Sequence, residues 1–161
     1  MHSIRRLGLL LFLPACISQQ FDLEHVKVAV LVEEDVPHRD AVRDTLFQGI
    51  LQLGGTPTLE AGYPLIRVRF ASNCCLPDYA ACVRPENNTV IYTCITSNDP
   101  SVATSNALHE MGHVFGAGHL PCETGALMTH DAACRTIRDH FGPLDISAIC
   151  QSGLVIGGIC N

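Results

Sequence analysis

The sequence predicts an α+β fold: a mostly parallel sheet with an antiparallel edge strand, two main helices, and an irregular lower part carrying a short C-terminal helix. Three observations carry that expectation. A strand pattern, a helix pattern and a second strand pattern follow one another over residues 26–70, a hairpin pattern follows over 79–95, and beyond a second helical stretch the apolar residues lose any period from Gly118 onward. The chain has 161 residues, 47% of them hydrophobic and 16% charged. That length suits one globular domain, and so apolar a composition argues against long disordered stretches. Sixteen acidic against ten basic residues give a net charge of −6, so the broad basic face that phosphate contacts require is hard to assemble and nucleic acid is not an expected partner.

Residues 1–16 carry Arg5 and Arg6, an apolar run from Leu7 to Leu13, and then Pro14, Ala15 and Cys16, the layout of an export signal. The run falls far short of the roughly 20 apolar residues of a membrane-spanning helix. Leu13-Pro14-Ala15-Cys16 also resembles the lipobox of bacterial lipoprotein signals, in which cleavage leaves the cysteine to be lipidated. Cys16 is therefore the candidate lipidation site, through which the protein would be tethered to a bacterial membrane; ordinary signal cleavage with secretion is the alternative. The folded domain is expected over 24–161, with an upper part at 24–117 and a lower part at 118–161.

The chain has nine cysteines, and setting Cys16 aside leaves Cys74, Cys75, Cys82, Cys94, Cys122, Cys134, Cys150 and Cys160. Eight can pair completely. Export favours disulfides over thiolate zinc sites, and the C-x-x-C pairs of a zinc ribbon are missing. Eight cysteines allow about a hundred pairings; the short closures Cys82 with Cys94 and Cys122 with Cys134 are the first candidates.

In chain order, residues 26–32 form a β-branched apolar run that suits a strand covered on both faces. After Asp35 and Pro37, the residues Val42, Leu46, Ile50 and Leu53 recur at helical spacing until Gly54-Gly55 stops them. In Leu65–Phe70, Ile66, Val68 and Phe70 alternate with Arg67 and Arg69, which predicts a half-exposed strand and a crossover connection with the first. Residues 79–84 and 88–95 can pair across Pro85-Glu86-Asn87 as a hairpin at the sheet edge, where an extended peptide could add. A helix is expected over 101–116 with Ser101 as N-cap, then a cysteine-bearing irregular segment, then a short helix over 144–150.

The chemistry lies in residues 109–119, which read H-E-x-x-H-x-x-G-x-x-H. On a helix, His109 and His113 sit one turn apart on one face, so two imidazoles can reach one ion. Gly116 can take φ > 0, ending the helix and turning the chain so that His119 approaches the same ion. Three nitrogens with an open fourth position make the catalytic rather than the structural zinc pattern. Glu110 would then stand beside the bound water as its general base. A helix with unrelated histidines would match these five positions by chance only on the order of once in ten thousand such chains.

This stretch resembles the zinc signature of the metzincin metalloproteases. Ala126-Leu127-Met128, nine residues beyond His119, looks like the family's methionine turn in its matrixin version, with Met128 as an apolar floor beneath the ligands. Leu144 to Ile149 is similar to the start of the family's C-terminal helix. The resemblance implies a twisted sheet and two helices above a cleft, zinc at its base, and hydrolysis of peptide bonds in a protein or peptide substrate extended along the edge strand. It identifies the expected cofactor as a single catalytic Zn2+.

The departures are informative too. About ten residues separate Cys16 from the first strand, leaving no room for the family's inhibitory propeptide. No histidine lies between His38 and His109, so the second zinc site of animal matrixins lacks imidazoles. Ca2+ sites stay open, although no D-x-D-x-D-G loop occurs. His130 stands where some metzincins carry a tyrosine that assists the transition state; it is either a hydrogen-bond donor to an oxyanion or an exposed turn residue. The expected protein is a monomeric exported zinc endopeptidase. Its rivals are a silent peptide-binding module and a zinc hydrolase of small amides or cell-wall peptides.

Overall fold

The structure is a computed structural model that describes residues 20–71, 80–84, 87–94, 98–131 and 133–161. The export signal with Cys16, and Cys74 and Cys75, lie outside the described residues. The chain folds as a mixed α+β structure. Its five-stranded sheet contains β2 (Val28–Val32), β3 (Pro57–Thr58), β4 (Leu65–Phe70), β5 (Ala81–Arg84) and β6 (Asn87–Thr93), in the spatial order β3-β2-β4-β6-β5. All neighbours are parallel except β5 and β6, so the antiparallel strand β5 lies at the edge.

The expected first strand begins at Val28 rather than at residue 26, because Val26 N–H bonds back to Asp22 O at 3.0 Å in a turn. Helix α1 (Arg39–Gln52) buries Val42, Leu46 and Ile50 at the predicted period, and Leu53 and Gly54 close it. In β4, Ile66 and Val68 are wholly buried and Arg69 is exposed, as the alternation requires. The hairpin pairs Ala81 with Thr93 and Cys82 with Tyr92.

Helix α2 (Pro100–Val114) differs from the expected 101–116 at both ends. Its N-cap is Asp99, not Ser101: the Asp99 carboxylate accepts from Ser101 N–H at 2.9 Å and from the Ser101 hydroxyl at 2.6 Å. Pro100 at the first helical position needs no N–H partner, so the helix can begin one residue earlier. Among the described residues no helix is long and apolar enough to cross a membrane.

Beyond α2 the backbone is irregular apart from a 3-10 turn (Cys122–Thr124) and α3 (Pro143–Gln151). The glycine-rich tail does more than trail. Its strand β7 (Val155–Ile156) pairs in parallel with β1 (Phe21–Asp22), placing Phe21 edge-on against Phe115 with ring centroids 5.0 Å apart. Two bridges lie within the described residues, Cys122–Cys134 and Cys150–Cys160. Cys82 and Cys94 are disulfide-bonded too, but the expected closure of one on the other is not among these bridges. The hairpin register sets Cys82 opposite Tyr92, and Cys94 N–H bonds to Ala80 O, so the two cysteines are not cross-strand partners.

Candidate metal centre

The motif occupies the last turn and a half of α2 and the turn beyond it. That helix is buried almost all round, from Thr104 to Gly112 without a break. Its position is fixed by packing against α1 and the sheet, with Leu108 and Met111 fully enclosed. Gly116 has φ +86°, and the N–H groups of Gly116 and Ala117 bond back to the carbonyls of His113 and Gly112 at 2.9 Å. This left-handed residue ends the helix and sends the chain back towards it. The turn brings His119 to His109 and His113.

The three imidazoles meet through their Nε2 atoms. His113 Nε2 lies 3.1 Å from His109 Nε2 and 3.1 Å from His119 Nε2. The far sides of two rings are fixed: His109 Nδ1 donates to Leu127 O at 2.7 Å and His113 Nδ1 donates to Ala117 O at 2.8 Å. A carbonyl can only accept, so in the neutral rings the proton sits on Nδ1 and the Nε2 lone pair points inward. Lone pairs packed this closely repel one another unless a cation lies among them. The donor set therefore fits a divalent metal that takes three imidazoles. Burial pushes the His109 proton affinity down to a pKa of about 3 and that of His119 down to about 4, and lowers His113 in the same direction. All three are thus neutral near pH 7, the form a metal needs.

Glu110 is buried with one oxygen 4.0 Å from His109 Nε2. Burial raises its pKa to about 7, opposed by the positive charge of Arg135 and by the backbone N–H of Val83, which bonds to the carboxylate. Val83 belongs to the edge strand β5, so that strand lies beside this carboxylate.

Met128 is fully buried and lies against Gly112, where its sulfur occupies the space a Cβ at 112 would need. It therefore packs under the helix between the two turns that carry His109 and His113. His130 is exposed, with its ring 4.7 Å from that of His119 and perpendicular to it. His25 and His140 are exposed and bonded to Asp22 and Asp139, away from this cluster.

Two residues that carry no motif also belong here. Asp145, wholly buried at the start of α3, accepts from Gly142 N–H at 2.8 Å, Met128 N–H at 2.9 Å and Leu127 N–H at 3.4 Å. It pins the segment whose Leu127 carbonyl orients His109. The signal was available in part, because an acid three residues into a helix after Gly-Pro reads as a capping residue. Arg135 bonds through Nη2 to Asn106 Oδ1, one turn before Glu110, and nothing in the sequence singled it out. No protein-family model matches the chain, and no curated protein matches it.

Proposed function

We propose that this chain is a zinc-dependent endopeptidase that hydrolyses peptide bonds in proteins. The observation that carries the reading is the convergence of three Nε2 atoms beside a buried carboxylate. His109, His113 and His119 would hold the ion, and a zinc bound there would lower the pKa of a coordinated water to about 7 and polarise a scissile carbonyl.

The remaining work falls to the chain's own groups. Glu110 accepts the proton of the attacking water on its carboxylate and delivers it to the leaving amine nitrogen, a transfer for which a pKa near neutrality is well matched. The Val83 N–H holds that carboxylate in place. Among the described residues strand β5 has no partner on its outer side, so it would offer backbone groups to an extended peptide. The buried helix and Met128 keep the ligands from shifting while substrate enters. His130, exposed beside His119, would be the hydrogen-bond donor to the oxyanion. With the expected leader, the enzyme works outside the cytoplasm, either secreted or tethered through lipid on Cys16.

Purified protein is expected to hold about one zinc per chain and to lose cleavage of a denatured protein substrate on chelation. Glu110→Gln should retain the zinc and cleave about 10²- to 10⁴-fold more slowly. Equal cleavage by wild type and variant would end the enzymatic reading.

A further inference from the structure

Arg135 is the cation that the lower part of the molecule brings to the reaction site. Its backbone is held, since its N–H bonds to Asp131 O at 3.2 Å and the neighbouring Cys134 is bridged to Cys122. Its guanidinium donates to Asn106 Oδ1, and Asn106 is itself buried on α2. Asn106 precedes Glu110 by four residues and His109 by three, so both stand one turn further along the same face. The guanidinium, held on Asn106, therefore stands about one helical turn from Glu110 and His109.

For an arginine that served only packing, the arrangement is unfavourable. The residue is half-buried, yet among the described residues no carboxylate lies within ion-pair distance of it. Among the described residues its guanidinium bonds only to Asn106, through Nη2, and neither Nε nor Nη1 is sealed from solvent. A partly desolvated charge with no counter-ion in contact can still take an anion on its open donors. Glu110 acts on this charge only from beyond ion-pair distance, its own oxygen standing 4.0 Å from His109 Nε2.

We propose that Arg135 selects the substrate by binding a carboxylate on the peptide, next to the bond to be cut. The planar guanidinium suits a carboxylate through paired N–H donors. This inference rests on the peptidase reading and adds the substrate class: peptides with an acidic group beside the scissile bond. The carboxylate has two sources, an Asp or Glu side chain, or the free C-terminus of the peptide. At a net charge of −6 the protein as a whole does not attract acidic peptides, so their selection falls to this local cation.

The test uses zinc-loaded protein and matched peptides carrying Glu, Gln or Lys at each position around the bond, with free or amidated C-termini. Wild type, Arg135→Leu, Arg135→Glu and the charge-preserving Arg135→Lys are compared, each checked by thermal melting to be folded. Binding of the same peptides to the zinc-free proteins is measured by calorimetry. Wild type is expected to prefer Glu over Gln at one position by about 10- to 100-fold in kcat/KM. Arg135→Leu should abolish that preference, Arg135→Lys should keep part of it, and Arg135→Glu should turn it towards Lys. Binding to the zinc-free proteins should change in the same order. A preference that survives amidation assigns the side-chain carboxylate, and one lost on amidation assigns the C-terminus. The same preference in wild type and Arg135→Leu overturns the proposal, as does a variant altered only in the pH dependence of cleavage, which would make Arg135 a tuner of Glu110. Should wild type cleave no peptide at all, the peptidase reading falls, and the calorimetry still decides whether Arg135 binds carboxylates.

Discussion

The sheet with α1 and α2 and the irregular segment after Gly118 both contribute to one cluster of histidines, but they are held in place by different forces. In the first, backbone groups satisfy one another through ladders and helical bonds, and the side chains are free to pack: Val30, Leu46, Ile66, Ile91 and Leu108 are at or near zero exposure. In the second, irregular backbone pairs with itself only at scattered points, as Leu120 N–H does with Met128 O, so side chains supply further partners. Gln52 bonds both to Phe141 O at 2.6 Å and to Phe141 N–H at 2.9 Å, Ser152 Oγ bonds to Phe115 O at 2.7 Å, and Ser105 Oγ accepts from Arg138 N–H at 3.2 Å. Two of the histidines stand on the packed helix and the third on the pinned loop. The cluster thus depends on apolar burial for one side and on a few polar contacts for the other.

That contrast can be broken on either side. The largest effect is expected from Leu46→Ala, which leaves a cavity between α1 and the core and should cost about 2–5 kcal/mol of global stability. Metal affinity of the folded fraction should stay unchanged, as read by denaturant unfolding beside zinc titration. Asp145→Asn should cost less, about 2 kcal/mol, because an amide nitrogen replaces one acceptor of three backbone N–H groups. Its effect should concentrate in the lower part: zinc affinity should fall about 10- to 100-fold, as for other residues that orient ligands, while amide-exchange protection in β2 and β4 persists. A uniform loss of protection over the whole chain would erase the distinction.

The smallest effect sharpens the comparison through pH. In metal-free protein the depressed histidines bind fewer protons folded than unfolded, so their contribution is complete above about pH 6.5 and is lost as pH falls towards 3. Glu110 runs the other way, because its raised pKa favours the fold below about 4.5 and loses that contribution as pH rises through 7. Between pH 4.5 and 6.5 the two oppose each other. Melting of the metal-free protein should therefore fall with acidification more steeply in Glu110→Gln than in wild type, with each histidine worth at most about tenfold in the folding constant per pH unit. Parallel melting curves would refute this.

Legibility in the sequence follows the same division. Periodicity identified α1 through Val42, Leu46, Ile50 and Leu53, and β4 through its alternation, because burial on one face repeats with the geometry of the element. The histidine cluster was legible because one helix and one turn impose its spacing. Strands of two residues such as β1, β3 and β7 carry no period, so the pairing of Phe21 with Val155 left no trace. Ser101 carries the cap pattern, but Pro100 suits the first helical position and makes Asp99 the cap. The roles of Asp145 and Arg135 come from partners 17 and 29 residues away, and a single contact of that range leaves no pattern in neighbouring residues.

The close approach of the Met128 sulfur to Gly112 changes how the motif should be understood. Of the two unnamed letters between the first two histidines, the one immediately before the second is already spoken for: even an alanine there would push the Met128 sulfur away from the helix. Variation across the signature should therefore be tightly restricted at 112, and a scaffold given the histidines and the acid without that bare backbone position would inherit the letters and lose the alignment.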